Sequence, residues 1–134
     1  MAKIILPAKM ENLGKLLDFV RENAIKSGLS KKDATQVIVA AEEGIINIIN
    51  YAYPDSDGKV SVICEDTGDK FAIILEDQGI PFDPLSLPEP DVDLPIEDRT
   101  IGGLGIFMIK NIMDNVIYER EDDWNIFTLI KNKH

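Results

Sequence analysis

The chain has 134 residues, of which 45% are hydrophobic and 28% charged, and its 14 basic and 24 acidic residues give a net charge of −10. That length holds one ordinary core and that composition is globular, which excludes two full domains and a disordered chain. The acidic balance argues against nucleic acid or an anionic membrane as the main partner, although a local nest of backbone N–H groups can still hold a nucleotide against the global field.

The opening Met1-Ala2-Lys3-Ile4-Ile5-Leu6-Pro7 lacks the pattern of a signal peptide, and no run nears the about 20 apolar residues that span a bilayer, so the expected location is cytoplasmic. Lys3 to Pro7 reads as a short strand stopped by proline. Glu11 to Lys26 carries Leu13, Leu16, Leu17, Val20, Ala24 and Ile25 at helical spacing, and Ser27-Gly28 stops it. A second helix runs from about Ser30, a good N-cap with Asp33 three residues on, to Tyr53, before the turn Pro54-Asp55-Ser56-Asp57-Gly58. Ala34, Val37, Ile38, Ala41, Ile45, Ile48 and Ile49 are its apolar face. Glu43, Asn47 and Asn50 fall at i, i+4 and i+7, so a carboxylate and two carboxamides share one stripe. Such a stripe is either a solvated face or the seat of chemistry. Gly44 beside it either keeps the stripe uncrowded or allows close helix packing.

Lys59 to Glu65 and Lys70 to Glu76 alternate as a hairpin, with Val60, Val62 and Cys64 facing the set Phe71, Ile73 and Leu75. Cys64 is the single cysteine, so neither an intrachain disulfide nor a zinc cluster is expected. The second strand runs into Asp77-Gln78-Gly79. From Pro81 to Thr100 the pattern stops, and five of the seven prolines lie there among acids, which marks a lid, with a linker as the alternative. Gly102 to Asp114 reads as a helix burying Leu104, Ile106, Phe107, Ile109, Ile112 and Met113. Asn115 to Arg120 and Trp124 to Lys131 form a last hairpin across Glu121-Asp122-Asp123, with Val116, Tyr118, Ile126, Thr128 and Ile130 as pairing positions. This order predicts an α+β fold: a two-layer sandwich of about three helices on one face of a mostly antiparallel sheet, residues 1–134 as one domain, with a lid at about 81–101.

Three motifs combine as an ATP site. Asn47 can give Mg²⁺ one oxygen while phosphates and water supply the rest. Glu43, one turn earlier, can take a proton from an attacking hydroxyl. Asp77 can accept from the adenine amino group, with Gly79 letting the backbone pass close to the base. Gly102, Gly103 and Gly105 bring backbone N–H groups to a helix N-terminus, where phosphate is favoured.

Glu43-Gly44-Ile45-Ile46-Asn47, Asp77-Gln78-Gly79 and Gly103-Leu104-Gly105 resemble the N-box and the two glycine boxes of the GHKL, or Bergerat-fold, ATPases. The chain length, Tyr53-Pro54 and the segment from Gly102 through Met113-Asp114 resemble, within that superfamily, the anti-sigma factor serine/threonine kinases. The resemblance covers nearly the whole chain. It implies an ATP- and Mg²⁺-dependent kinase that phosphorylates a STAS-domain anti-anti-sigma protein and in many cases sequesters a sigma factor, and it points to a homodimer through the sheet edge near the N-terminal strand. Position by position it implies Glu43 as general base, Asn47 as Mg²⁺ ligand, Asp77 as adenine reader, and Gly79, Gly103 and Gly105 as backbone nucleotide contacts; Gly102 and Leu104 beside them are further candidate contacts. Asn50 is a further candidate contact. Arg99 and Thr100, at the end of the lid, are candidates for reaching the terminal phosphate on their position alone. Pro81 departs from the second glycine of the first box, and Asn125 lies where many relatives carry a threonine under the adenine. A transducer domain has no room in the chain, and the only histidine, His134, is terminal. The rival to an enzyme is an ATP-gated module that sequesters its partner without phosphotransfer.

Overall fold

The computed structural model describes residues 1–86 and 101–133, with only the backbone for 101–104. Its elements are β1 (Ala2–Pro7), α1 (Leu13–Lys26), α2 (Lys31–Tyr51), β2 (Lys59–Asp66), β3 (Lys70–Asp77), α3 (Ile101–Ile112), β4 (Asn115–Glu121) and β5 (Trp124–Asn132), with short 3-10 turns at Met10–Asn12 and Pro84–Ser86. The strands form one antiparallel sheet in the order β1-β2-β3-β5-β4, and the helices pack on one face of it, as the element order predicts.

The first hairpin follows the alternation. Val62 lies opposite Leu75 and Cys64 opposite Ile73, and Val60, Phe71 and these four are all buried under the helices. Helix α1 turns Leu16, Leu17, Val20 and Ala24 into the same core. Ile25, counted from sequence as part of that face, is 65% exposed. It stands nine residues after Leu16, about two and a half turns, and so points the opposite way. Helix α2 is capped as predicted, with Ser30 Oγ accepting from Asp33 N at 3.1 Å. It ends at Tyr51 rather than Tyr53. Pro54 disfavours helical backbone at Tyr53, whose hydroxyl instead donates to Lys59 O at 2.6 Å and accepts from Gln78 N at 2.9 Å.

The last hairpin corrects the predicted pairing. Val116 faces Leu129 and Tyr118 faces Phe127, whereas Ile126, Thr128 and Ile130 lie on the other face of β5. The cause is the turn. Glu121 pairs with Trp124, so the loop is two residues, Asp122-Asp123, with Asp122 at φ 55°, and a loop one residue shorter than predicted shifts the phase of every pair. The inward positions of β5 are therefore Asn125, Phe127, Leu129 and Lys131, all buried.

The first part of the predicted lid is ordered. Asp83 Oδ1 accepts from Leu85 N at 2.8 Å, Pro84 is buried and Leu85 packs on the core. Residues 87–100 lie outside those described.

Lys131 is a buried cation 8% exposed, and its Nζ donates to Ile112 O at 2.7 Å and Gln36 Oε1 at 2.8 Å. One ammonium thus caps the C-terminal end of α3, where a positive charge is favoured, and ties it to α2. Lys131→Met leaves both acceptors without this donor and should cost about 1–3 kcal/mol of folding stability in urea titration.

Candidate functional site

Helix α2 lies hard against the sheet because Gly44 has no side chain: a Cβ there would sit 2.6 Å from Leu75 Cδ1. Close packing, one of the two readings left open by the sequence, is the physical reason for this glycine. Just beyond the contact, a pocket opens between α2 and the sheet. Gly44, Asn47 and Ile48 form its helical wall, while Asp77, Asn125, Phe127 and Tyr118 belong to the strand side. Phe82 and Pro84 add an apolar wall at the mouth, with Phe82 stacked on Tyr51 at a centroid distance of 5.9 Å. Flat apolar walls with a few convergent polar groups suit a planar heterocycle.

Asp77 supplies the charge. It is 4% exposed and pairs across strands with Asn125. Its Oδ1 accepts from Gly79 N and from Asn125 Nδ2, both at 2.9 Å. Among the described residues no hydrogen bond is formed to Oδ2. Burial raises the carboxyl above the ordinary aspartate range, opposed by the two hydrogen bonds and by the positive field of Arg120.

The turn that follows Asp77 is held from every side. Gln78 N reaches Tyr53 OH, Arg120 donates to Gly79 O at 2.9 Å, Ile80 N bonds Ala52 O at 2.9 Å and Asn125 Nδ2 also donates to Ile80 O at 2.8 Å. Gly79 is required here because a Cβ would collide with the carbonyl of Ala52 at the end of α2. The room it leaves is taken up by α2, a different use from the close passage of a base predicted from sequence.

Glu43 and Asn47 lie one turn apart on α2, both partly buried. Burial, and then the neighbouring Glu42, raise the Glu43 carboxyl above the ordinary glutamate range. Gly105 of α3 makes room for it, since a Cβ on Gly105 would stand 2.5 Å from Glu43 Oε2. The stripe and the second glycine motif thus meet at the seam of α2 and α3. Asn50 is exposed and is not among the pocket residues. Gly102, Gly103 and Leu104 form the first turn of α3 with Ile101, while Arg99 and Thr100 lie outside the described residues. Among the described residues no three His, Cys, Asp or Glu side chains could hold a metal by themselves. Buried Cys64, its thiol pushed up to about 12 by burial, is no nucleophile.

Sequence reasoning left out Tyr118, Tyr53 OH, Phe82, Pro84 and Arg120, and gave Asn125 no role. The signal for Asn125 was available: with the correct hairpin phase it is a polar residue in an inward-facing row.

A family model for the histidine kinase-like ATPase domain matches residues 6–131. Among similar curated proteins, the serine-protein kinase RsbW of Halalkalibacterium halodurans is 31% identical over 133 residues, covering 96% of this chain and 81% of that protein. RsbW of Bacillus cereus is 27% identical over 115 residues, covering 83% and 72%.

Asp77→Asn should keep an oxygen acceptor for Gly79 N and Asn125 while removing the buried charge. An acid whose folded pKa is raised contributes stability that is fully present below its unfolded pKa of about 3.8 and is lost as pH rises through the higher folded value. The variant lacks that loss, so its stability advantage over the wild type should grow from pH 4 to pH 7 in urea titrations, and a constant difference would contradict the burial of the charge.

Proposed function

This chain belongs to the histidine kinase-like ATPase family, in its anti-sigma factor serine/threonine kinase branch, and from that premise we propose that it transfers the γ-phosphoryl group of ATP to a serine or threonine of a STAS-domain anti-anti-sigma protein. The observation that carries the reading is the pocket shared by Asp77 and Asn47, with its apolar walls, and Glu43 one turn before Asn47 at the seam of α2 and α3.

In this reading Asp77 accepts from the adenine amino group through Oδ2, and Phe82, Pro84 and Phe127 cover the ring. The side-chain oxygen of Asn47 fits a hard cation that keeps water and phosphate as its other ligands, and bound Mg²⁺ would neutralise charge on the phosphates. Glu43 takes the proton of the attacking hydroxyl. Burial beside Glu42 suits it to this task, since a raised pKa makes a better base. Gly102, Gly103 and Leu104 offer backbone N–H groups of the first turn of α3 to phosphate, Gly105 behind them leaves room for Glu43, Arg99 and Thr100 reach the terminal phosphate, and Asn50 is a further contact. The rate then comes from positioning and charge neutralisation.

The whole chain acts as one ATPase domain in the cytoplasm. Among the described residues no helix is long and apolar enough to cross a membrane. A sigma factor is the second partner, released when the antagonist binds, and the edge of β1 not paired with β2 offers a pairing surface for a homodimer.

Calorimetric titration with ATP tests the site. Binding should need Mg²⁺, Asn47→Ala should lose that Mg²⁺-dependent binding, and Asp77→Ala should weaken ATP by about 10- to 100-fold, the worth of a hydrogen bond to a charged group. Glu43→Ala should bind ATP like the wild type and lose about 100- to 10,000-fold in phosphotransfer to the antagonist, the usual contribution of a base. Transfer at the wild-type rate would remove Glu43 from that role. Failure of the wild type to phosphorylate any STAS-domain partner would leave only a sequestering module. The acid limb of kcat/KM should lie above the ordinary glutamate range, and Glu42→Gln should move it to lower pH by removing the neighbouring charge.

A further inference from the structure

Asn125 is committed in every direction in which it could donate. Its Nδ2 carries two hydrogens, and they go to Asp77 Oδ1 at 2.9 Å and Ile80 O at 2.8 Å. Its Oδ1 accepts from Tyr118 OH at 2.6 Å. The partners also determine which end is nitrogen, because two acceptors face one end of the amide and a hydroxyl the other. The side chain is 5% exposed. It therefore has no hydrogen left for a ring nitrogen of a bound base, although it lines the pocket in which the base would lie.

We propose that Asn125, oriented by Tyr118, is a positioning residue: it turns Asp77 so that Oδ2 faces the pocket, and so sets the preference for adenine without touching the nucleotide. This rests on the reading of Asp77 as the group that meets the base. The chemistry of selection follows from donors and acceptors. An aspartate oxygen held toward the pocket accepts from the exocyclic amino group of adenine and repels the O6 acceptor of guanine. A carboxylate free to rotate would not keep an oxygen aimed at the amino group and would lose part of that discrimination. Asn125 prevents the rotation by holding Oδ1, Gly79 N holds the same atom from the turn, and Tyr118 keeps the amide from flipping. By gripping Ile80 O as well, Asn125 places the start of the segment that carries Phe82 and Pro84, so the polar and the apolar contacts to the base are set by one side chain.

The test is a set of ATP and GTP titrations with Mg²⁺ on the full chain, with thermal unfolding to verify each variant. Tyr118→Phe keeps the ring that lines the pocket and removes only its hydrogen bond to Asn125, and should weaken ATP about fivefold while leaving GTP unchanged, the scale of a single neutral bond. Asn125→Ala should narrow the ATP-over-GTP preference further. The Asp77→Ala/Asn125→Ala double variant should bind ATP no more weakly than Asp77→Ala, because a residue that acts through Asp77 has nothing left to act on. Additive losses in the double variant would overturn the proposal, by showing that Asn125 meets the nucleotide itself. A wild-type ATP-over-GTP ratio in Tyr118→Phe, with Asp77→Ala impaired, would overturn the positioning role alone. A wild-type ratio in Asp77→Ala would overturn the reading of Asp77 and this proposal with it. Should Asn125→Ala fail to fold, the same cycle run with Tyr118→Phe and Asp77→Ala decides the question.

Discussion

The carboxylate of Asp77, almost out of contact with water at the end of the third strand, is the constraint on which the rest of this site depends. A charge placed there is unfavourable unless its oxygens are bonded, and its ionised form remains disfavoured even so. The chain answers by holding the carboxylate and the turn behind it from four elements: the end of α2 through Ala52 and Tyr53, β4 through Arg120, β5 through Asn125, and the turn itself through Gly79. Each of these groups comes from a different part of the sequence, and each is in place only if helix, sheet and hairpin are all correctly seated.

The same logic runs through the glycines. Gly44 lets α2 descend onto Leu75, Gly79 lets the turn pass under Ala52, and Gly105 leaves room for the Glu43 carboxylate. None of the three has a positive φ; all three are close approaches, so their role is distance rather than backbone freedom. Together they bring α2 to within reach of both the sheet and α3. The two acids then have separate settings: buried Asp77 is anchored through one oxygen with a cation nearby, while half-buried Glu43 sits beside another acid at a helix seam. Two carboxylates with different surroundings are what a site needs if one is to read a base and the other to move a proton.

The surface carries a net charge of −10, yet the proposed ligand is an anion. The conflict is local rather than global. Backbone N–H groups at the first turn of α3 act at a few ångströms, where they outweigh charges that water and salt screen across the surface.

The sequence by itself determined the element order, the inward faces of β2 and β3, the Ser30 cap and the three polar motifs, because these are written in short-range periods and turn residues. It also carried the family, since the motifs that mark it are local strings. It missed wherever one residue of loop length decides a phase, as in the Asp122-Asp123 turn, where the pairing of β4 with β5 moved and with it the inward place of Asn125. It could not place Tyr118, Tyr53 or Lys131 either, whose partners lie 7, 25 and 95 residues away. Only the tertiary structure decided what surrounds Asp77, because burial and hydrogen-bond partnership are properties of space between elements, and no periodicity along the chain encodes them.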